Sequence, residues 1–210
     1  MCSAAGVRSR SCVALADLNA HKARLLVIAP FRIECVAVRL GLPEALVLRS
    51  GMGAARARFT ALVAARIPAD AVAVAGFCGA VAGGLSAGDV VVASEVRGPA
   101  GVTACASGPV VAALAAVGIA RIRVGPMASV DHLVHGAERG VLAGEGALAV
   151  DMESAWLAPA AVGRPFAVLR VVLDTPAREI YRPLATLAGG LAAWQALRRA
   201  VPALALWARA

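Results

Sequence analysis

Apolar residues in this chain come in short, dense runs separated by longer stretches dominated by alanine, and the two patterns alternate along its length. The dense runs are Leu25 to Ala29, Ala45 to Arg49, Ala71 to Ala75, Asp89 to Ser94, Arg121 to Val124, Ala147 to Val150 and Phe166 to Val172. Several are apolar at every position rather than every second one, as expected of strands covered on both faces. Between them, Gly53 to Arg66 and Met152 to Val162 read as helices that follow their strands with almost no loop. Leu184, Leu187, Leu191, Trp194 and Leu197 then recur at helical intervals, which predicts an amphipathic helix docked on the sheet. Pro202 is expected to end that helix, leaving 202–210 as a short tail. Strands alternating with helices, without repeat or linker, indicate an α/β fold with one core, and 210 residues suffice to bury a sheet between two helical layers.

Composition changes this picture only in part. A hydrophobic share of 60% and a mean hydropathy of +0.77 would suit a membrane protein. Alanine, valine and glycine supply much of it, however, and no apolar run reaches the ~20 residues of a spanning helix. A soluble, cytoplasmic protein with an unusually apolar surface is expected, suited to a greasy partner or substrate. The net charge is +8, with Lys22 the only lysine. The arginines are scattered and aromatics make up 4% of the chain, so nucleic acid is not the expected partner. Five cysteines, none in a CxxC pair, suggest neither a disulfide framework nor a zinc ribbon. Residues 1–22 carry no continuous apolar segment and read as a disordered extension before a domain spanning 23–201.

Open α/β sheets bind ligands beyond the carboxyl ends of their strands, so the polar residues there are the candidates. Ser50-Gly51-Met52-Gly53 follows a strand and opens a helix; it is either a plain turn or an anion cradle in which Ser50, Gly51 and Gly53 hold phosphate or water. Gly76-Phe77-Cys78-Gly79, with Gly83, Gly84 and Gly88 after it, suggests close approach of backbone to a planar ligand, and Cys78 reads as a buried thiol rather than a nucleophile. In Asp151-Met152-Glu153 two carboxylates flank a methionine at a strand–helix junction; they are either helix caps or a site in which the two do different work, Glu153 facing ligand hydroxyls. Asp174 ends an apolar strand before Thr175-Pro176 and reads as a turn cap or as a general acid whose pKa its surroundings raise. Asp131-His132-x-x-His135 lacks further ligands at a recognised spacing, so neither a metal nor another cofactor is expected.

Taken in order, these segments resemble the nucleoside phosphorylase superfamily that includes the methylthioadenosine/adenosylhomocysteine nucleosidases. The likeness runs from about Leu25 to Asp174 and is most specific at Ala149-Val150-Asp151-Met152-Glu153-Ser154 and at Val168-Leu169-Arg170-Val171-Val172-Leu173-Asp174. It implies a single-domain three-layer α/β/α sandwich around a central mixed, mostly parallel sheet, and cleavage of the N-glycosidic bond of a purine nucleoside. By the same resemblance Glu153 binds the ribose hydroxyls, Met152 packs on the sugar, Asp174 serves N7 of the departing purine, and Phe77, Cys78 and Gly79 line the base. Glu34 falls, with a one-residue difference in spacing, near the glutamate that activates water in the nucleosidases. Val74 and Phe77 stand where the hexameric phosphorylases place the arginine and serine of a phosphate clamp, and Leu173 replaces a serine. Water and inorganic phosphate as co-substrate therefore both stay open, with Arg32 and Arg49 as substitute cations. The wording of the two motifs and the arginine-rich end most resemble the hopanoid-associated phosphorylases, which implies an adenosylhopane-type, lipid-linked nucleoside, a homo-oligomer and contact with an anionic membrane surface. Methylthioadenosine or adenosylhomocysteine hydrolysis is the alternative. A non-catalytic module on the same fold, or a peripheral membrane scaffold using Arg198, Arg199 and Arg209, would be of a different class; the presence of both Asp174 and Glu153 favours the enzyme.

Overall fold

Successive side chains of a strand point to opposite faces, and here both faces are apolar. In the computed structural model, which describes residues 23–177 and 183–210, Leu25 and Val27 of the first strand face one core, and Leu26 and Ile28 face another. The expected extension 1–22 lies outside the described residues. The elements follow in the order β1 (Ala23–Ala29), α1 (Arg32–Gly41), β2 (Leu46–Arg49), α2 (Ala54–Ala64), β3 (Ala69–Ala80), β4 (Val90–Gly98), β5 (Gly101–Ala104), α3 (Ser107–Ala116), β6 (Ile122–Ser129), α4 (Ala137–Gly144), β7 (Ala149–Asp151), α5 (Ser154–Leu157), β8 (Phe166–Asp174), α6 (Pro183–Ala200) and α7 (Pro202–Arg209). This is a three-layer α/β/α arrangement: α1, α3, α6 and α7 cover one face of the sheet, and α2 and α5 the other.

The sheet runs β2-β1-β3-β7-β6-β4-β5, with β8 paired to both β3 and β4. It is mixed and mostly parallel; only β3–β7, β4–β5 and β4–β8 are antiparallel. Because β8 bridges β3 and β4, the strands β3, β7, β6, β4 and β8 close into a ring rather than leaving the open sheet that the sequence suggests. Small residues permit the tight layering. Ala71, Ala73 and Ala75 of β3 face the α1–α6–α7 core, whereas Val72 and Val74 fill the other. Gly41, at the far end of α1, lies so close to α6 and the residue after it that a Cβ there would overlap the Arg198 carbonyl and the Val201 side chain.

Several expectations need correction. β3 extends to Ala80, through the glycines that read as a loop, because Phe77 and Cys78 still pair with Val171 and Val172 of β8. The helix expected over 152–162 is split into α5 and a 3-10 turn, Ala158–Ala161, where Pro159 interrupts the α-helical ladder. Pro202 does not leave a tail. It starts α7, where its missing N–H costs nothing, and Leu204 and Trp207 are buried. On α6, Leu197 is buried as the helical spacing predicts, but Leu191 is 60% exposed; the side chains of Leu184 and Leu187 lie outside the described part. No helix among the described residues is long and apolar enough to cross a membrane.

Leu169 is fully buried in β8, between β3 and β4. Leu169→Ala should cost about 2–5 kcal/mol of stability through the cavity it leaves, read as a lower urea midpoint with an unchanged slope.

Candidate active site

The site is organised around a cation inside the sheet. Arg170 lies in the middle of β8 and is completely buried, so its charge must find partners within the protein. Its Nη2 lies 2.7 Å from Asp151 Oδ2 and 3.5 Å from Glu153 Oε2, and donates to Ser154 Oγ at 3.0 Å. Its Nη1 donates to the Phe77 carbonyl at 3.3 Å.

Asp151 and Glu153 do divide their work. Asp151 closes β7 and is spent on structure: Oδ1 accepts from Ser129 Oγ at 2.6 Å and from the N–H groups of Glu153 and Ser154 at 3.2 Å, and Oδ2 accepts from the Ser154 hydroxyl. Glu153, at the start of α5, points instead across the sheet end to the turn between β2 and α2. Its Oε1 accepts the Gly53 N–H at 3.0 Å. Burial raises the Glu153 pKa; Arg170 opposes the shift, and Asp151 adds to it.

Glu34 is on the first turn of α1 and fully buried. Two backbone donors hold its carboxylate, Phe31 N–H on Oε2 and Phe77 N–H on Oε1, each at 2.6 Å. Desolvation pushes its pKa up to about 7, against the pull of Arg170 and of the two N–H donors, with Glu153 adding to the rise. Gly76 makes room for this contact: a Cβ there would lie 2.5 Å from Glu34 Oε1 and 2.7 Å from Arg170 Nη1. Part of the glycine-rich segment therefore serves the close approach of the site's own charged side chains.

Asp174 ends β8. The strand pairing shifts between Cys78 and Gly79, where β8 carries one extra residue, Leu173, so Asp174 aligns with Gly79 instead of Ala80. A bulge re-aims the side chains that follow it, and this one turns Asp174 off the face that bears Arg170. A Cβ on Gly79 would lie 3.1 Å from Asp174 Oδ1. The carboxylate is not left among apolar groups as the sequence suggests. It forms a buried ion pair with Arg139 of α4, whose Nη1 also donates to the Ala80 carbonyl at 2.7 Å. Glu34 at Gly76 and Asp174 at Gly79 are thus three strand residues apart, roughly 10 Å, the span of a base and its sugar.

The turn at 50–53 is tied to its neighbours through its backbone. Gly51 and Gly53 have φ of +76° and +91°, which glycine alone adopts readily, but their donors are already engaged. Ser50 N–H donates to the Ala29 carbonyl, Gly51 N–H to the Pro30 carbonyl and Gly53 N–H to Glu153, so all three donors are engaged within the protein. Ser50 is buried and Met52 is 50% exposed at the rim. Met152 is half-buried beside Glu153, and Phe77 and Cys78 lie on β3 between the two carboxylates. Burial pushes the Cys78 thiol up, away from the reactive thiolate. His132 stays at the surface, 3.0 Å from Asp131 and 2.7 Å from Glu138. Sequence reasoning passed over Arg170 and Arg139. A lone arginine in an otherwise apolar strand was the available signal for the first; Arg139 sits in an ordinary-looking helix and offered none.

The sequence profile of the Phosphorylase superfamily matches residues 15–191. No curated protein matches the chain. Among solved structures, the 5′-methylthioadenosine/S-adenosylhomocysteine nucleosidase of Helicobacter pylori superposes with a TM-score of 0.75 at 19% identity, over 88% of this chain and 98% of that one. Futalosine hydrolase of the same organism gives 0.75 at 20% identity, over 88% and 97%. The nucleosidase of S. pneumoniae, solved with a transition-state inhibitor, gives 0.70 at 21% identity, over 86% and 99%. At these identities the likeness is one of fold.

Glu34 links the site to stability. Its pKa is higher folded than unfolded, so the native protein retains a proton that the unfolded chain releases between about pH 4.5 and 7. The Glu34 contribution is therefore fully present below that window and is lost as pH rises through it. Urea midpoints at pH 5 and pH 8 should differ more in the wild type than in Glu34→Gln; an equal difference in the two proteins would remove Glu34 from this role.

Proposed function

Since the chain belongs to the Phosphorylase superfamily, we propose that it cleaves the N-glycosidic bond of a purine nucleoside with water as the nucleophile. The observation that carries this reading is Glu34, a buried carboxyl whose pKa of about 7 suits a general base. Water attacks C1′ and gives its proton to Glu34. The C1′–N9 bond breaks, its electron pair goes to the purine, which takes up a proton from solvent at N7, and the Asp174 carboxylate, held ionised by Arg139, accepts the hydrogen bond of the N7–H. Glu153 accepts hydrogen bonds from the ribose hydroxyls, and its negative charge stabilises the oxocarbenium-like sugar. Met152 packs on the sugar, while Phe77, Cys78 and Gly79 line the base. No metal or cofactor has a part in this chemistry. The occupied donors of the 50–53 turn and the valine at position 74 favour water over phosphate.

A second reading is phosphorolysis of a lipid-linked adenine nucleoside of the adenosylhopane type. It is favoured by the wording of the 149–154 and 166–174 segments, by the exposed Arg32 and Arg49 as phosphate-holding cations, and by the apolar rim of Phe31, Ile33 and Met52. In either case we expect a homo-oligomer: Phe59 and Leu62 project from α2 at 70% and 68% exposure, and Val162 stands at 81%.

Adenine release from methylthioadenosine and from adenosylhopane, each with and without phosphate, separates the two. Hydrolysis is expected to proceed without phosphate; strict phosphate dependence would establish phosphorolysis instead. Glu34→Gln should lower kcat by roughly 10²–10⁴-fold, as should Asp174→Asn. The wild-type kcat/KM should rise with pH to a plateau above about 7, because Glu34 must be ionised to act, and near-normal turnover in both variants would sink the assignment.

A further inference from the structure

A surface helix of a soluble protein normally turns its apolar stripe inward and its polar residues outward. Helix α1 is apolar on both sides. It buries Glu34, Cys35, Ala37 and Val38, yet Ile33, Val36 and Leu40 on its outer side are 57%, 46% and 56% exposed. Their i, i+3, i+7 spacing makes a continuous stripe of roughly 10 Å along the helix. Leu191 of α6 extends the stripe sideways, one turn before Trp194, whose Nε1 donates to the Ile33 carbonyl at 3.1 Å.

The charges on this face have one sign. Arg32 and Arg39 are the exposed charged residues of α1, and Arg49 is exposed at the adjoining end of β2. The helix's one acidic residue, Glu34, is buried. Glu44 lies beyond the other end of α1, 3.8 Å from Arg209. From this complementarity we propose that the outer face of α1 docks on an anionic lipid bilayer. Guanidinium groups match headgroup phosphates, and an aliphatic stripe between them reaches the acyl boundary. A second copy meeting this face through itself would bring arginine against arginine, which disfavours that occupant.

The docking would have a direction. Ile33 and Phe31 adjoin Glu34 at the mouth of the site, so the bilayer would meet the end of the sheet where the carboxylates gather. Arg66 cannot share this contact: it is exposed just after α2, which covers the face of the sheet opposite to α1. The proposal rests on surface chemistry and not on the reaction, so membrane binding and purine release can fail separately.

The test is co-sedimentation of the full chain with vesicles of phosphatidylcholine alone or with roughly one third phosphatidylglycerol, near physiological salt. Enrichment is expected on the anionic vesicles only. Val36→Glu/Leu40→Glu and Arg39→Glu should each reduce it, the double variant by roughly tenfold or more, while Arg66→Glu should leave it within about twofold. All of these positions are exposed, so the variants keep the core intact. Absence of enrichment on anionic vesicles overturns the proposal, as does an equal loss in Arg66→Glu. Light scattering that shows a dimer dissolved by Val36→Glu/Leu40→Glu, without vesicle binding, would assign the face to a second copy.

Discussion

A guanidinium sealed inside a β-sheet is the constraint to which the rest of this site answers. A buried cation is costly unless its charge and its donors are matched, and removing any one partner leaves an unpaired ion. Arg170 meets that demand for its charge and its terminal nitrogens with Asp151 and Glu153, the Ser154 hydroxyl and the Phe77 carbonyl, while its buried Nε has no hydrogen-bond partner. These come from β7, α5 and β3, so the one side chain holds together the ends of elements far apart in sequence. Asp151 passes the constraint on through Ser129 and Ser154, and Glu153 passes it to the turn before α2. Glu34 feels it as an attraction that partly offsets its burial. The carboxylates of the site are thus not independent: their positions and protonation depend on the same cation.

Asp174 stands outside that cluster, with its own cation in Arg139. The extra residue Leu173 separates it from Arg170, and the two glycines of β3 set the spacing, one clearing space for Glu34 and Arg170 and the other for Asp174. On the proposed reading Glu34 and Glu153 serve the sugar and Asp174 the purine, and their different counter-ions let the two ends of the scissile bond be served separately.

The layered fold was legible because strands buried on both faces leave unmistakable apolar runs, and the helices between them had to cover both sides. The closure of five strands into a ring was not, since it depends on β8 pairing with two strands far from it in sequence. Glycines at 76 and 79 misled for a physical reason: they read as loop, but in a strand they serve close approach by Glu34, Arg170 and Asp174. Pro202 misled likewise, because the same residue that stops one helix is at home in the first turn of the next. At the site, Glu153 and Asp174 were visible as carboxylates at strand ends, whereas Glu34 emerged only through family resemblance and Arg139 not at all. A residue buried by tertiary contact alone, in a helix of ordinary pattern, carries no local mark of it.

Helix α1 joins the two halves of the account, turning Glu34 into the site and its neighbour Ile33 outward. The most direct measurement is a crystal structure with an adenine nucleoside analogue that cannot be cleaved. The ribose hydroxyls are expected on Glu153, N7 of the purine within hydrogen-bonding reach of Asp174, and a water between Glu34 and C1′. A nucleoside bound away from Glu34 and Asp174, or lying with its base on Glu153, would overturn the assignment of this site.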